Sequence, residues 1–203
     1  MFQKAVIDRN LAYLGHLAPG GYYIALHLRF AAALMTFSSY DRRWADRYTE
    51  QAYALRDPMV AWGFSTEGAT RWSEITLPDP FGIMKEAGDY GLKFGVAVSV
   101  GPIKSRTIAG VARADREFDD EEIATIAAII RDLHQLTEPP ESLTAAQIEA
   151  LRLVAAGYRH TAAAAKLGIS ESALKARLNS VRTRLMARTT AEALQRAKDY
   201  RLL

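Results

Sequence analysis

The chain has 203 residues, 49% of them apolar and 24% charged, which is the balance of an ordinary globular protein with room for one large or two small domains. It contains no cysteine, so disulfides, thiolate metal sites and a cysteine nucleophile are excluded. The net charge of +3 is unevenly spread: residues 1–137 hold 15 Lys and Arg against 17 Asp and Glu, whereas residues 138–203 hold 11 against 6. A basic C-terminal third is what a chain shows when only that part meets nucleic acid. No apolar run approaches membrane-spanning length and MFQKAVIDRN does not read as a signal peptide, so a cytoplasmic location away from the membrane is expected.

Residues 2–15 read as a helix with Phe2, Val6, Leu11 and Leu14 as a partial apolar stripe, broken by Pro19-Gly20-Gly21. Residues 22–30 alternate as a half-buried strand, with Tyr22, Ile24, Leu26, Leu28 and Phe30 on one face and His27 and Arg29 on the other. Residues 41–53 are expected to be helical, with Tyr40, Trp44 and Tyr48 recurring every fourth position, until Asp57-Pro58 stops the helix. Residues 59–64 read as a short strand, 81–90 as a helix closed by Gly91, and 95–101 and 107–114 as two strands joined by a basic turn. Residues 118–136 form an amphipathic helix, with Asp119 to Glu122 at the end where the helix dipole favours negative charge. The segment 137–142, TEPPES, is a linker, because consecutive prolines cannot continue a helix.

Beyond it, Leu143, Ile148, Leu151 and Val154 mark a helix capped by Thr144 and ended by Gly157. A short alanine-rich helix, 160–166, leads through Leu167-Gly168-Ile169 into residues 169–185, where Leu174, Leu178, Val181 and Leu185 share one face. The other faces carry Ser172, Lys175, Ala176, Arg177, Asn179, Arg182 and Arg184. Small residues let such a helix approach a major groove, while Lys, Arg and Asn reach phosphates and base edges. Helix, short helix, glycine turn and basic helix follow the order of a helix-turn-helix, and a last helix over 190–200 completes four.

In the N-terminal part, Tyr40, Trp44, Tyr48, Asp57 and Trp72 could line a pocket with apolar walls and a few directed polar groups. Such a set suits a small amphiphile bearing carbonyls and an amide N–H, because Trp donates, Tyr does either and an ionised carboxylate accepts. The same spacing equally suits a plain aromatic core. An enzyme finds little support: His16, His27, His134 and His160 lack metal-ligand spacing, no GxSxG or P-loop is present, and Asp57 has no partnering nucleophile. A phosphorylated receiver would need an acidic cluster near the start, which MFQKAVIDRNLAYL does not supply.

Two resemblances bear on these alternatives. Residues 1–137 resemble the autoinducer-binding domain of the LuxR family on Tyr40, Trp44-x3-Tyr48-x8-Asp57-Pro58, Trp72 and Gly91-Leu92. Residues 143–203 resemble the DNA-binding domain of the same family on Leu143-Thr144, Leu151, Ala155, Gly157, Ala164, Leu167, Ile169-Ser170, Lys175, Leu178, Val181 and Leu185. The chain departs from the pattern at Ala112, where many members carry Ser or Thr, at Ala146-Gln147, Tyr158-Arg159, Ala162-Ala163, Ala173-Leu174 and Arg177, and in a short segment before Trp44. The resemblance implies an α+β domain, an α/β/α sandwich on an antiparallel sheet, followed by an all-α four-helix helix-turn-helix domain. It implies an N-acyl-homoserine lactone as ligand, with Trp44 donating to the lactone carbonyl, Tyr48 to the acyl carbonyl, Asp57 accepting the amide N–H, and Tyr40 and Trp72 as walls. It further implies a homodimer on a near-palindromic duplex operator, contact with RNA polymerase, and neither metal nor cofactor. The alternative is an orphan regulator that answers a different small molecule or needs none.

Overall fold

In the computed structural model, residues 2–29, 32–138, 142–200 and 202–203 are described. The expected places of Phe30 in the first strand and of Pro139 and Pro140 in the linker lie outside the described residues, as does the side chain of Phe2. The chain divides into two units, Met1–Thr137 and Glu138–Leu203.

The first unit is built on a five-stranded antiparallel sheet of order β2-β1-β5-β4-β3, with β1 Gly21–Leu28, β2 Met35–Ser38, β3 Gly68–Arg71, β4 Phe94–Val100 and β5 Arg106–Arg113. One face is covered by α1 Phe2–Leu17 and α5 Asp120–Leu136. Ile7 and Leu14 from α1 and Ile126, Ile129, Ile130 and Leu133 from α5 close on Ile24, Leu26, Val96, Val98, Ala109 and Val111. The α1 stripe therefore runs through Ile7, with Val6 half-buried beside it. Asp119 starts α5 with a capping box, its carboxylate accepting from Glu122 N while Glu122 accepts from Asp119 N. The opposite face of the sheet carries α2 Arg42–Glu50, α3 Pro58–Ser65 and α4 Ile83–Asp89.

Three local expectations are corrected here. Residues 59–64 are helical, because Asp57 caps α3 and Pro58 occupies its first turn, where a missing N–H costs nothing. The Asp-Pro pair starts a helix instead of stopping one. The preceding helix ends earlier, at Glu50, and Ala52 takes a left-handed conformation before a 3-10 turn, Tyr53–Leu55. Strand β2 has no counterpart in the sequence pattern.

The third correction shapes the sheet. The β1–β5 register slips between Ala25 and Leu28, a β-bulge that inverts the alternation. Leu28 therefore joins Tyr23 and Ala25 on the α3 face instead of Ile24 and Leu26 on the α5 face. His27 absorbs the extra residue with φ of 51° and is fully buried. Its Nε2 lies 3.0 Å from both His134 O and Thr137 Oγ1, its Nδ1 lies 2.9 Å from Ser105 Oγ, and the ring stacks on His134 at 4.4 Å. A carbonyl only accepts, so Nε2 carries the proton and the Ser105 hydroxyl donates to Nδ1.

The second unit holds α6 Ala145–Ala155, α7 His160–Lys166, α8 Glu171–Arg184 and α9 Thr190–Asp199. Thr144, Ser170 and Thr189 cap α6, α8 and α9 through their side-chain oxygens. Leu151, Leu174, Leu178, Val181, Leu185, Ala193 and Ala197 form the core, and Ala163 and Ala164 are buried where α7 meets α8. Gln147 completes the Thr144 capping box and donates to Ser180 Oγ at 3.0 Å, tying α6 to α8.

Burial and the neighbouring His134 pull the pKa of His27 down to about 4 from its ordinary 6.5. The neutral ring therefore stabilises the fold fully above pH 6.5, and this contribution drains away as the pH falls towards 4. His27→Asn tolerates the positive φ but forgoes the ring's packing. The stability gap between parent and variant, from thermal melts, should be widest at neutral pH and shrink by about pH 4. A constant gap would show that the ring does not titrate with unfolding.

Candidate functional site

Between the sheet and α2, α3 and α4 lies a cavity of about 730 Å³. Tyr40, Trp44, Tyr48, Asp57 and Trp72 all line it. Helix α2 brings Trp44 and Tyr48 to one side because they stand four residues apart, while Arg42, Arg43 and Asp46 face solvent. The aromatic rings meet edge to face, Trp44 and Tyr48 at 5.7 Å and Tyr48 and Tyr53 at 5.8 Å. Tyr53 in turn donates to Glu86 of α4, which also accepts from Arg47, so α2, the 3-10 turn and α4 are clasped outside the cavity.

Asp57 is 6% exposed and its two oxygens do different work. Oδ1 accepts the Met59 amide at 2.7 Å and caps α3; Oδ2 accepts the Tyr48 hydroxyl at 2.8 Å. Burial pushes the Asp57 carboxyl above the usual range, and the Tyr48 and Met59 bonds pull against it. Burial and the nearby Asp57 also push the Tyr48 hydroxyl up, so it stays a donor. A carboxylate oxygen has two lone pairs, so Oδ2 retains capacity for one further donor.

Tyr40 and Trp72 are fixed against the sheet. The Tyr40 hydroxyl donates to Gly110 O at 2.9 Å, which commits its proton. Trp72 lies over Gly95, and a Cβ there would stand 2.2–2.6 Å from its ring carbons. Gly110 likewise leaves room for Met59 and Tyr40.

The rest of the wall does not stand out in the sequence. Tyr23, Ala25 and Leu28 come from β1, Thr36 and Ser38 from β2, Ile108 from β5, Met59, Val60 and Phe64 from α3, and Ile83, Met84 and Ala87 from α4. The period of two in β1 would have given Tyr23 and Ala25; the bulge hides Leu28. Tyr23, Leu55 and Phe64 line the cavity and are also exposed, so it opens to solvent beside them. Ala112 is fully buried against the Trp44 cluster and offers no polar group.

In the second unit, Ser172, Lys175, Ala176, Asn179 and Arg184 of α8 are exposed, and Arg177 and Arg182 are half-buried. Lys175 pairs with Glu171 at 2.7 Å, and Arg182 donates to Asn179 Oδ1. Among the described residues no group of His, Asp and Glu could hold a metal ion, and no helix is long and apolar enough to cross a membrane.

Replacing Gly95 with Ala forces the Trp72 ring off the sheet. We expect a destabilisation of about 1–3 kcal/mol, as for overpacked cores, together with a change in tryptophan fluorescence. An unaltered melt and spectrum would mean that Trp72 is not held against this strand.

Residues 21–137 match the family model of the autoinducer-binding domain. Over 148 residues the chain is 28% identical to the HTH-type quorum-sensing regulator RhlR of Pseudomonas aeruginosa, covering 66% of this chain and 61% of that one. The chain thus spans about three fifths of the length of this curated relative. Among solved structures, SdiA of Escherichia coli superposes with a TM-score of 0.54 at 17% identity, over 98% of this chain and 91% of that one. SdiA in complex with octanoyl-rac-glycerol gives 0.50 at 16% identity, over 98% and 88%. The N-acylhomoserine-lactone-dependent factor CepR2 of Burkholderia cenocepacia gives 0.50 at 14% identity, over 68% and 94%. At such identities these structures speak for the fold. The family consists of ligand-binding regulators and not of enzymes. By its domain the chain belongs to the autoinducer-binding family of LuxR-type regulators.

Proposed function

We propose that the chain is a transcription regulator that takes an N-acyl-homoserine lactone into the cavity of its first unit and binds duplex DNA through α8 of its second. The observation that carries the first half is the buried Tyr48–Asp57 pair beside Trp44 in a largely apolar cavity. An amide N–H meets the open lone pair of Asp57 Oδ2, the Tyr48 hydroxyl would turn its one proton from Asp57 to an acyl carbonyl, and the Trp44 indole N–H faces the lactone carbonyl. Ligand binding would order the first unit and favour a homodimer that sets two copies of α8 in successive major grooves. RNA polymerase is then the further partner, and the cytoplasm the place of action.

A second reading concerns the ligand alone. SdiA, whose fold matches over 98% of this chain, has been solved with octanoyl-rac-glycerol, so an acylated glycerol is a credible occupant of the same cavity. Its hydroxyls would face the same Asp57 and Tyr48.

A ligand that binds only the folded state adds about 2.7 kcal/mol at a hundredfold excess over its Kd. Thermal melts with acyl-homoserine lactones should rise accordingly. Asp57→Asn preserves the α3 cap but halves the acceptor, and should weaken the lactone by about 1–3 kcal/mol. If Asp57→Asn responds at the parent's ligand concentration, the amide is held elsewhere.

For DNA, half-site centres should lie about 10 bp apart. Asn179→Ala should blunt discrimination between operator and random duplex. Arg182→Ala should weaken both and lower the salt slope by about one for each phosphate left without its cation. Because Arg182 donates to Asn179, the double variant should lose less than the sum of the two. Titrations at several salt concentrations read all three effects; parental binding by every variant would remove α8 from the interface.

A further inference from the structure

The register of the sheet gives the cavity a length. Gly95, which carries the Trp72 ring, pairs with Ala112 of β5, and Leu28 pairs with Arg106 of the same strand. Trp72 and Leu28 line one cavity, so it extends along six residues of β5, about 20 Å at 3.2–3.4 Å per residue. Its two ends differ chemically. Met59, two residues after Asp57, and the Tyr40 hydroxyl sit over Gly110, so the carboxylate and the tyrosine hydroxyls gather at the Gly110–Ala112 end, while Thr36, paired with Ala25, is a lone hydroxyl at the level of Ile108. Helix α3 then runs along the strand, with Gly63 over Ile108 and its carbonyl bonded to Ser99. From there the wall is Ile108, Val60, Phe64, Ala33 and, because of the bulge, Leu28.

We infer that this site, read as an acyl-lactone pocket as above, selects long acyl chains of about 10–12 carbons. From Gly110, level with the amide acceptor, to Arg106 is four residues, or about 13 Å. An extended chain advances about 1.2 Å per bond, by the same geometry that gives about 3.5 Å per three-bond residue, so the corridor takes roughly eleven bonds. Ala25, opposite Ile108, and Ala33 leave the passage wide where larger side chains would fill it. At the far end Phe64 is partly exposed, so methylenes beyond the corridor meet water and gain nothing.

The test is the affinity of the full chain for unsubstituted acyl-homoserine lactones of about 4 to 14 carbons, with monoacylglycerols of matching chain length as a second series. Affinity should rise about fourfold per methylene up to about 10–12 carbons and then level off. Ala25→Leu, which narrows the corridor opposite Ile108, should cost long chains more than short ones and move the optimum downward. Leu28→Trp, at the far end, provides the same reading if Ala25→Leu fails to fold. An optimum at about 4–8 carbons, unmoved by either variant, overturns the corridor while leaving the lactone assignment standing. Binding only of monoacylglycerols, with an optimum at about 10–12 carbons, upholds the corridor and overturns the lactone. Binding of neither series overturns both.

Discussion

The carboxylate of Asp57 is the point on which the first unit turns. One oxygen closes the N-terminus of α3 and the other holds the Tyr48 hydroxyl of α2, so a single buried charge ties two helices across the cavity they line. A buried carboxylate without partners is costly, which is why it is spanned on both sides. The same arrangement sets the chemistry of the cavity. The capping oxygen is committed to the backbone, and the oxygen beside Tyr48 remains a buried acceptor in a largely apolar chamber. Stability and the polarity of the cavity thus draw on one group.

The sheet supplies the complementary constraint. Gly95 and Gly110 lack the Cβ atoms that would collide with Trp72 and Met59, so two large side chains lie almost on the strands. The bulge at His27 works in the opposite direction, turning a residue inward that strict alternation would have sent to the other face. His27 is accommodated only because Ser105, Thr107, His134 and Thr137 surround it with partners. A polar knot on the α5 face is therefore what allows an apolar wall on the other, and it ties β1 to the last turn of α5.

The second unit depends on caps and small residues more than on bulk. Three hydroxyl caps start three helices, and alanines let α7 approach α8 closely. That leaves the outward face of α8 short-sided, with Ser172 ahead of Lys175, and Ala176 and Asn179 between Lys175 and Arg182. The Lys175–Glu171 pair is exposed and screened by solvent, so the lysine is released at little cost.

The sequence by itself determined what local periodicity and capping chemistry control. The apolar stripes of α5, α6 and α8, the acidic start of α5, the cap at Thr144, and the strands β4 and β5 are legible because each is decided within a few residues. Trp44 and Tyr48 are legible as one helix face for the same reason. Asp57-Pro58 misleads because its two signals, stop for the preceding segment and start for the following one, are the same letters. Tertiary structure alone decided the rest. Whether the aromatics form a solid core or the wall of a void depends on what stands opposite, here alanines from several elements and a sheet with glycines. The face of Leu28 depends on a register slip held in place only by residues about eighty to a hundred and ten positions away. No pattern within β1 encodes it, because the partners that hold His27 are brought together only when β5 and α5 close on the strand.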